Sequence, residues 1–286
     1  MQKPIPNAVR DLFLFLIAFL GFFATPVFAQ HPFDLIEKTQ RGKINWSRFT
    51  VQATGTGTLT QKQNENASAL TLSAAKDAAR KNILSTLEHL RLAHHRTVFQ
   101  ILEKNRRITE EIEKILQNAR VIAQEYLSDK TARVVMELSL LGAFSQLILP
   151  AELKQIESVK PIVPPEETPA PFTGLIVDAA GIPMKPALVP KIVDESGKEV
   201  FGSAFASRDS AVQQGMCRWV VDVAAARQVP RVGTRPLVVK GLKIRDGEET
   251  TIVISTADAA RLKSASEHLQ LLRKCAVAIA IGPGMH

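Results

Sequence analysis

The 286-residue sequence predicts an α+β fold in two domains, each a small, mostly antiparallel or mixed sheet with helices packed on one face. Three observations carry this reading. Alternating or β-branched apolar segments recur in both halves, apolar residues at three-four spacing mark a long amphipathic helix, and six prolines crowd into residues 150–171. These are Pro150, Pro161, Pro164, Pro165, Pro169 and Pro171. They cannot continue a helix or a central strand, and they favour extended backbone. The stretch 150–171 therefore reads as a linker between an N-terminal domain, 30–149, and a C-terminal domain, 172–286.

In the first half, Ile44-Asn45-Trp46 and Phe49-Thr50-Val51-Gln52-Ala53 alternate roughly as a strand does, and Gly55-Thr56-Gly57 reads as its loosened end. Leu72, Ala75, Ala79, Ile83, Leu87 and Leu90 then draw one stripe along a helix whose alanines allow close packing on a sheet. A second helix is expected from about Glu110 to Ala119. Val121–Leu127 and Ala132–Leu140 follow as a hairpin around Ser128-Asp129-Lys130.

In the second half, Thr173–Ala179 is a short apolar run of the kind that forms a buried strand. Pro190–Val193 and Glu199–Phe201 flank Asp194-Glu195-Ser196-Gly197-Lys198, a hairpin signal. Leu237–Lys240 and Thr251–Ile254 are further strands. Ser255 with Asp258 three residues on has the form of a capping box, opening a helix through Leu262, Ala265, Leu269, Leu272 and Ala276. Ala276–Ile281 returns as a strand, so the order is that of a right-handed βαβ unit or a split α+β version of it.

Residues 1–29 have the parts of an export signal: Lys3 and Arg10, an apolar run from Leu12 to Ala24, and a small-residue exit. Pro26 interrupts the run before it reaches the roughly 20 residues of a spanning helix. Val27-Phe28-Ala29 places cleavage between Ala29 and Gln30. No Cys lies near that junction to carry a lipid. The expectation is a periplasmic, non-lipidated protein; the alternative is one held in the inner membrane by an uncleaved N-terminal helix.

Removing Lys3, Arg10 and Asp11 with the signal leaves 34 Lys and Arg against 27 Asp and Glu, a net charge of +7. The densest basic stretch holds Arg91, His94, His95, Arg96, Lys104, Arg106 and Arg107. It reads as a solvated helical face, or as a surface for anionic lipid or polymer. Phe99 alone offers an aromatic ring there, which argues against nucleic acid as a partner. Two cysteines, Cys217 and Cys275, are the number that makes one disulfide in an oxidising compartment. Such a bridge and a pair of inert buried thiols both fit the apolar surroundings.

No catalytic, cofactor or metal set emerges. Gly55-Thr56-Gly57 lacks the third glycine of a dinucleotide fingerprint, since Thr60 stands in its place. His31, His89, His94, His95, His268 and His286 make no zinc-protease pair, and His89 and His94 diverge if helical. Glu267-His268 is expected to be solvated, and His31 and His286 lie near the termini. Asp178, Asp194 and Glu195 have the chemistry of an acid and a base, although turn formation accounts for Asp194.

Trp46, Val51–Gly57, the Ala-rich helix with Ala78-Ala79-Arg80-Lys81-Asn82-Ile83-Leu84, and Glu125-Tyr126-Leu127-Ser128-Asp129 through Leu141-Gly142 together resemble a bacterial envelope family. Residues 40–150 look like the twenty-kilodalton surface lipoproteins, whose fold is similar to the N-terminal domain of flagellar assembly protein T. Thr173–Ala179, Pro186–Pro190 and Val212–Met216 look like the C-terminal part of longer members. The resemblance implies an envelope protein of interaction type without family-wide catalytic residues. The missing lipidated Cys departs from that pattern. The expected function is therefore that of a non-enzymatic periplasmic interaction or assembly factor, for a flagellum-like or other surface structure, whose partners are other envelope proteins. A cell-wall or polysaccharide hydrolase, and a basic module in peripheral contact with membrane or anionic polymer, are the alternatives.

Overall fold

Alternation of threonine with small or apolar residues makes Thr50–Thr58 a strand with one buried and one open face. It is β3 of the computed structural model, which describes residues 34–58, 67–128, 131–153 and 171–282. Residues 1–33, which include the expected cleavage positions Ala29 and Gln30, and most of the proline-rich stretch lie outside the described residues. β3 lies between β2 (Gly42–Asn45), itself paired to β1 (Ile36–Lys38), and β7 (Thr131–Ser139), with β6 (Arg120–Ser128) outermost. Every pairing in this five-stranded sheet is antiparallel, and β6 and β7 form the expected hairpin.

Helix α1 (Ala67–Glu88) crosses β3 and β7. Its stripe Ala75, Ala79, Ile83 and Leu87 is fully buried. Gly55 and Gly57 are what let it come so close. A Cβ on Gly55 would stand 2.1 Å from the Ala75 carbonyl oxygen and 2.2 Å from the Ala79 nitrogen, and one on Gly57 would stand 2.2 Å from the Thr71 carbonyl oxygen. The Gly-Thr-Gly pair thus serves helix-on-strand contact within β3, not a loosened strand end.

Between α1 and β6 the backbone departs from the helical face expected for the basic stretch. Arg91–Ala93 (β4) and Arg96–Thr97 (β5) form a two-stranded hairpin with His94-His95 at its tip, followed by α2 (Val98–Lys104) and α3 (Arg106–Gln117). Asn105 separates these helices, and its side-chain oxygen accepts the Ile108 N–H at 3.2 Å. α4 (Ala143–Ile148) ends the first half.

The second half holds a seven-stranded mixed sheet in the order β10-β9-β13-β12-β8-β14-β11. The strands are β8 (Leu175–Asp178), β9 (Lys191–Asp194), β10 (Glu199–Phe201), β11 (Arg218–Val220), β12 (Leu237–Arg245), β13 (Glu248–Ile254) and β14 (Val277–Ala280). β8 runs parallel to β12 and β14, so this centre is covered on both faces, and Leu175, Ile176, Val177 and all of Val277–Ala280 are buried. Leu175, Val177, Val277 and Ile279 face the main core. Ile176, Ala278 and Ala280 face α6 (Val223–Arg227) and the 3₁₀ turn Pro230–Val232.

The expected final helix is broken into α7 (Thr256–Lys263) and α8 (Ser266–Arg273). Nor do β13 and β14 make a βαβ unit. β12 and β8 lie between them, and the pairings set them antiparallel, because β13 is antiparallel to β12 while β8 and β14 run parallel to it. Ser255 caps α7 as its sequence suggests, its Oγ accepting the Asp258 N–H at 3.0 Å.

Each half thus has its own sheet, and the fold is α+β. The two sheets also share one core: Phe33–His286 form a single compact unit, and Trp46, Phe49 and Val51 belong to the same buried cluster as Val177, Trp219 and Ile279. The backbone joins them as well. Leu188 and Val189 donate their N–H groups to the Arg91 and Leu92 carbonyls of β4 at 2.9 and 2.7 Å. Ser47 Oγ donates to the Trp219 carbonyl at 2.7 Å, and Gly142 N–H to the carbonyl of Val212 in α5 (Arg208–Gln214) at 2.9 Å. Among the described residues no helix is long and apolar enough to cross a membrane.

Candidate functional site

The β4–β5 tip faces the arm formed by β12 and β13, and the gap between them is an open groove of about 490 Å³. The first half contributes Arg91, Ala93, His94, His95, Arg96 and Thr97. The second contributes Ile244, Gly247, Glu249 and Thr250. A two-residue tip demands unusual backbone, and His95 adopts φ 51°, in the left-handed region that His enters more readily than most side chains. The imidazoles of His94 and His95 lie together, ring centroids 3.5 Å apart.

The charges of the groove do not cancel. Arg91 is held by Glu37, donates Nε–H to the Pro186 carbonyl at 2.8 Å and lies 5.8 Å over the Trp46 ring. Glu37 also accepts Trp46 Nε1–H at 2.8 Å, so this arginine serves structure. Glu249 pairs with Lys185 at 2.9 Å. On the arm, Arg245 pairs with Glu248 and Lys243 with Asp246. Arg96 is exposed and makes no ion pair among the described residues. One guanidinium and two neighbouring imidazoles are therefore left to the groove.

The carboxylates singled out in the sequence are engaged in the chain itself. Asp178 Oδ1 accepts the Ala180 N–H at 3.1 Å. Glu195 Oε2 accepts the Thr256 N–H at 2.8 Å, at the start of α7. Asp194 Oδ1 accepts Ser196 Oγ–H at 2.6 Å and the N–H groups of Ser196 and Lys198 at 3.0 and 2.9 Å. The Ser196 hydroxyl is the largest influence holding the Asp194 carboxyl below its ordinary pKa, followed by these backbone donors after a smaller opposing effect of desolvation. A depressed carboxyl stabilises the fold above its unfolded pKa of about 3.9, and that stability is lost as pH falls through the folded value. Asp194→Ala should therefore lower the melting temperature most at neutral pH. Parallel melts should show the two proteins converging as pH drops below about 4; a difference that stays constant down to pH 2 would rule out the ionised turn as its cause.

His268 is not solvated. It is 5% exposed, its Nε2 accepts the Phe172 N–H at 3.3 Å, and this leaves Nδ1–H to donate to the Arg261 carbonyl at 3.1 Å. It pins the chain entering the second half to the α7–α8 corner. His89 binds the Ser85 carbonyl through Nδ1 at 2.7 Å, while His31 and His286 lie outside the described residues. Among the described residues no group of three His, Cys, Asp or Glu is arranged to hold a metal ion.

Cys217 and Cys275 are both buried and both free. Burial raises the pKa of each, Cys275 to about 12 and Cys217 further, so both are protonated and unreactive at neutral pH. Between them runs Arg231, which donates to the carbonyls of Gln214, Gly215 and Cys275; burial, then the charge of Arg218, lowers its own pKa to about 10.

Residues 174–283 match the family model for the second domain of Treponema pallidum Tp0624. No curated protein matches the chain. The matched region supplies the β12–β13 wall of the groove, and the hairpin bearing Arg96 stands outside it.

Proposed function

We propose that this is an exported, non-enzymatic periplasmic protein that binds other envelope components, and that the groove between the β4–β5 tip and the β12–β13 arm is its contact site. One observation carries the reading: the three candidate carboxylates are taken up by turns and a helix start, whereas Arg96 and the His94–His95 pair are left open in a groove built from both halves. The resemblance of residues 40–150 to envelope proteins of interaction type supports the same assignment, and an assembly role at a surface structure is consistent with it. Export follows from the tripartite segment 1–29. Material isolated from cells should begin at Gln30, and a photocrosslinker placed at Thr97 should capture an envelope protein. An intact Met1 on a membrane-held product would overturn the export assignment, and absence of any crosslinked protein would overturn the contact assignment.

A further inference from the structure

We infer that the groove is a binding site for a phosphate ester, with Arg96, His94 and His95 as its anion contacts. This deepens the reading of the groove as the contact site and rests on it. The two ion pairs that border the groove, Arg91 with Glu37 and Lys185 with Glu249, neutralise their own members. The Arg96 charge is left without an acid partner among the described residues, so the groove attracts an anion. Its donors suit phosphate better than carboxylate. A guanidinium fork, two adjacent imidazoles and the hydroxyls of Thr97 and Thr250 exceed what two carboxylate oxygens accept, while a phosphate monoester presents three terminal oxygens and a second charge.

The apolar wall points to an ester over the free ion. Ile244 and Ala93 line the same groove, and about 490 Å³ is far more than one phosphate group fills, so an organic substituent has a surface to lie on. The position adds a consequence for assembly. The anion would bridge the tip of a hairpin from the first half and an arm from the second, so binding stiffens two projections that share few direct bonds.

A soluble phosphate monoester and the monoester headgroup of phosphatidic acid present the same chemistry, and the test separates them. The mature chain, residues 30–286, is titrated with glycerol 3-phosphate, with glycerate as the carboxylate control, and followed by the imidazole NMR signals of His94 and His95. In a second arm it is sedimented with vesicles of phosphatidylcholine containing phosphatidic acid, or of phosphatidylcholine alone. Saturable shifts confined to those two histidines, with glycerate binding at least tenfold more weakly, are expected if the ligand is a soluble ester. Binding only to the anionic vesicles assigns the site to a lipid headgroup and also upholds the proposal, provided Arg96→Gln abolishes it.

Arg96→Gln should weaken binding at least tenfold in whichever arm responds, without changing the melting temperature, since the side chain is exposed. Glu249→Gln should strengthen it severalfold, because it releases the Lys185 ammonium from its ion pair at the border of the groove. No response in either arm, equal affinity for glycerate, or indifference to both substitutions would overturn the site. Photocapture of a partner at Thr97 without any phosphate response would leave the contact assignment standing and remove this one.

Discussion

Gly55→Ala should lower the melting temperature by about 10 °C, although it adds a single methyl group. Ordinary overpacking of a core costs about 1–3 kcal/mol because side chains shift to make room. Here the atoms in the way are main chain: the new Cβ would meet the Ala75 oxygen at 2.1 Å and the Ala79 nitrogen at 2.2 Å. Neither can turn aside, so α1 must lift from β3, and the fully buried Ala75, Ala79 and Ile83 lose contact together. A cost of about 3–4 kcal/mol follows, and in a protein of this size each kcal/mol moves the midpoint by about 2–4 °C. Thr56→Ala, on the open face of the same strand, is the control and should move it by no more than about 2 °C. Equal melting of Gly55→Ala and the natural chain would mean that the helix does not rest on this strand as closely as the glycines require.

That contact also shows where sequence is informative and where it is not. The stripe of α1 is legible because a three-four apolar period has one structural solution, and the runs Leu175–Val177 and Val277–Ala280 are legible because continuous short apolar segments suit strands covered on both faces. The need for Gly55 and Gly57 comes from the helix that lands on them, and a glycine reads locally as freedom, not as proximity. The β4–β5 hairpin is illegible for a different reason. Its tip is His94-His95 and not one of the glycine-containing pairs that announce a two-residue turn, so the basic stretch around it passes for a helix face. The groove then needs a hairpin from one half and an arm from the other, and no local pattern reports that Leu188 and Val189 will bond to the β4 carbonyls. His268 is hidden likewise: its partners Phe172 and Arg261 come from two other segments, and beside Glu267 it looks like a surface residue.

Trp219→Ala should destabilise the whole described unit, not the second half alone. Trp219 is fully buried, its Nε1–H donates to the Ala187 carbonyl at 3.0 Å, and its own carbonyl accepts Ser47 Oγ–H, the same oxygen that receives the Leu35 N–H at 2.8 Å. Truncating a buried Trp costs about 3–5 kcal/mol through lost contacts and the cavity left behind, and the Ala187 carbonyl loses its donor besides. The midpoint should fall by about 10 °C or more. Trp219→Phe keeps much of the packing and loses the indole N–H, so a fall of about 1–2 kcal/mol is expected. The chain has two tryptophans, so either substitution leaves Trp46 as the sole indole emitter, and its fluorescence reports the first half while circular dichroism reports both sheets. Because Trp46 and Trp219 sit in one apolar cluster, the two signals should melt together at the lowered temperature in both variants. If Trp46 melted at the natural chain's midpoint while circular dichroism showed an earlier step, the halves would unfold independently and the shared core would not couple them. Coincident curves would instead mean that a hole made beneath β11 is felt at β2, through Ser47 and the side chains packed between the two sheets.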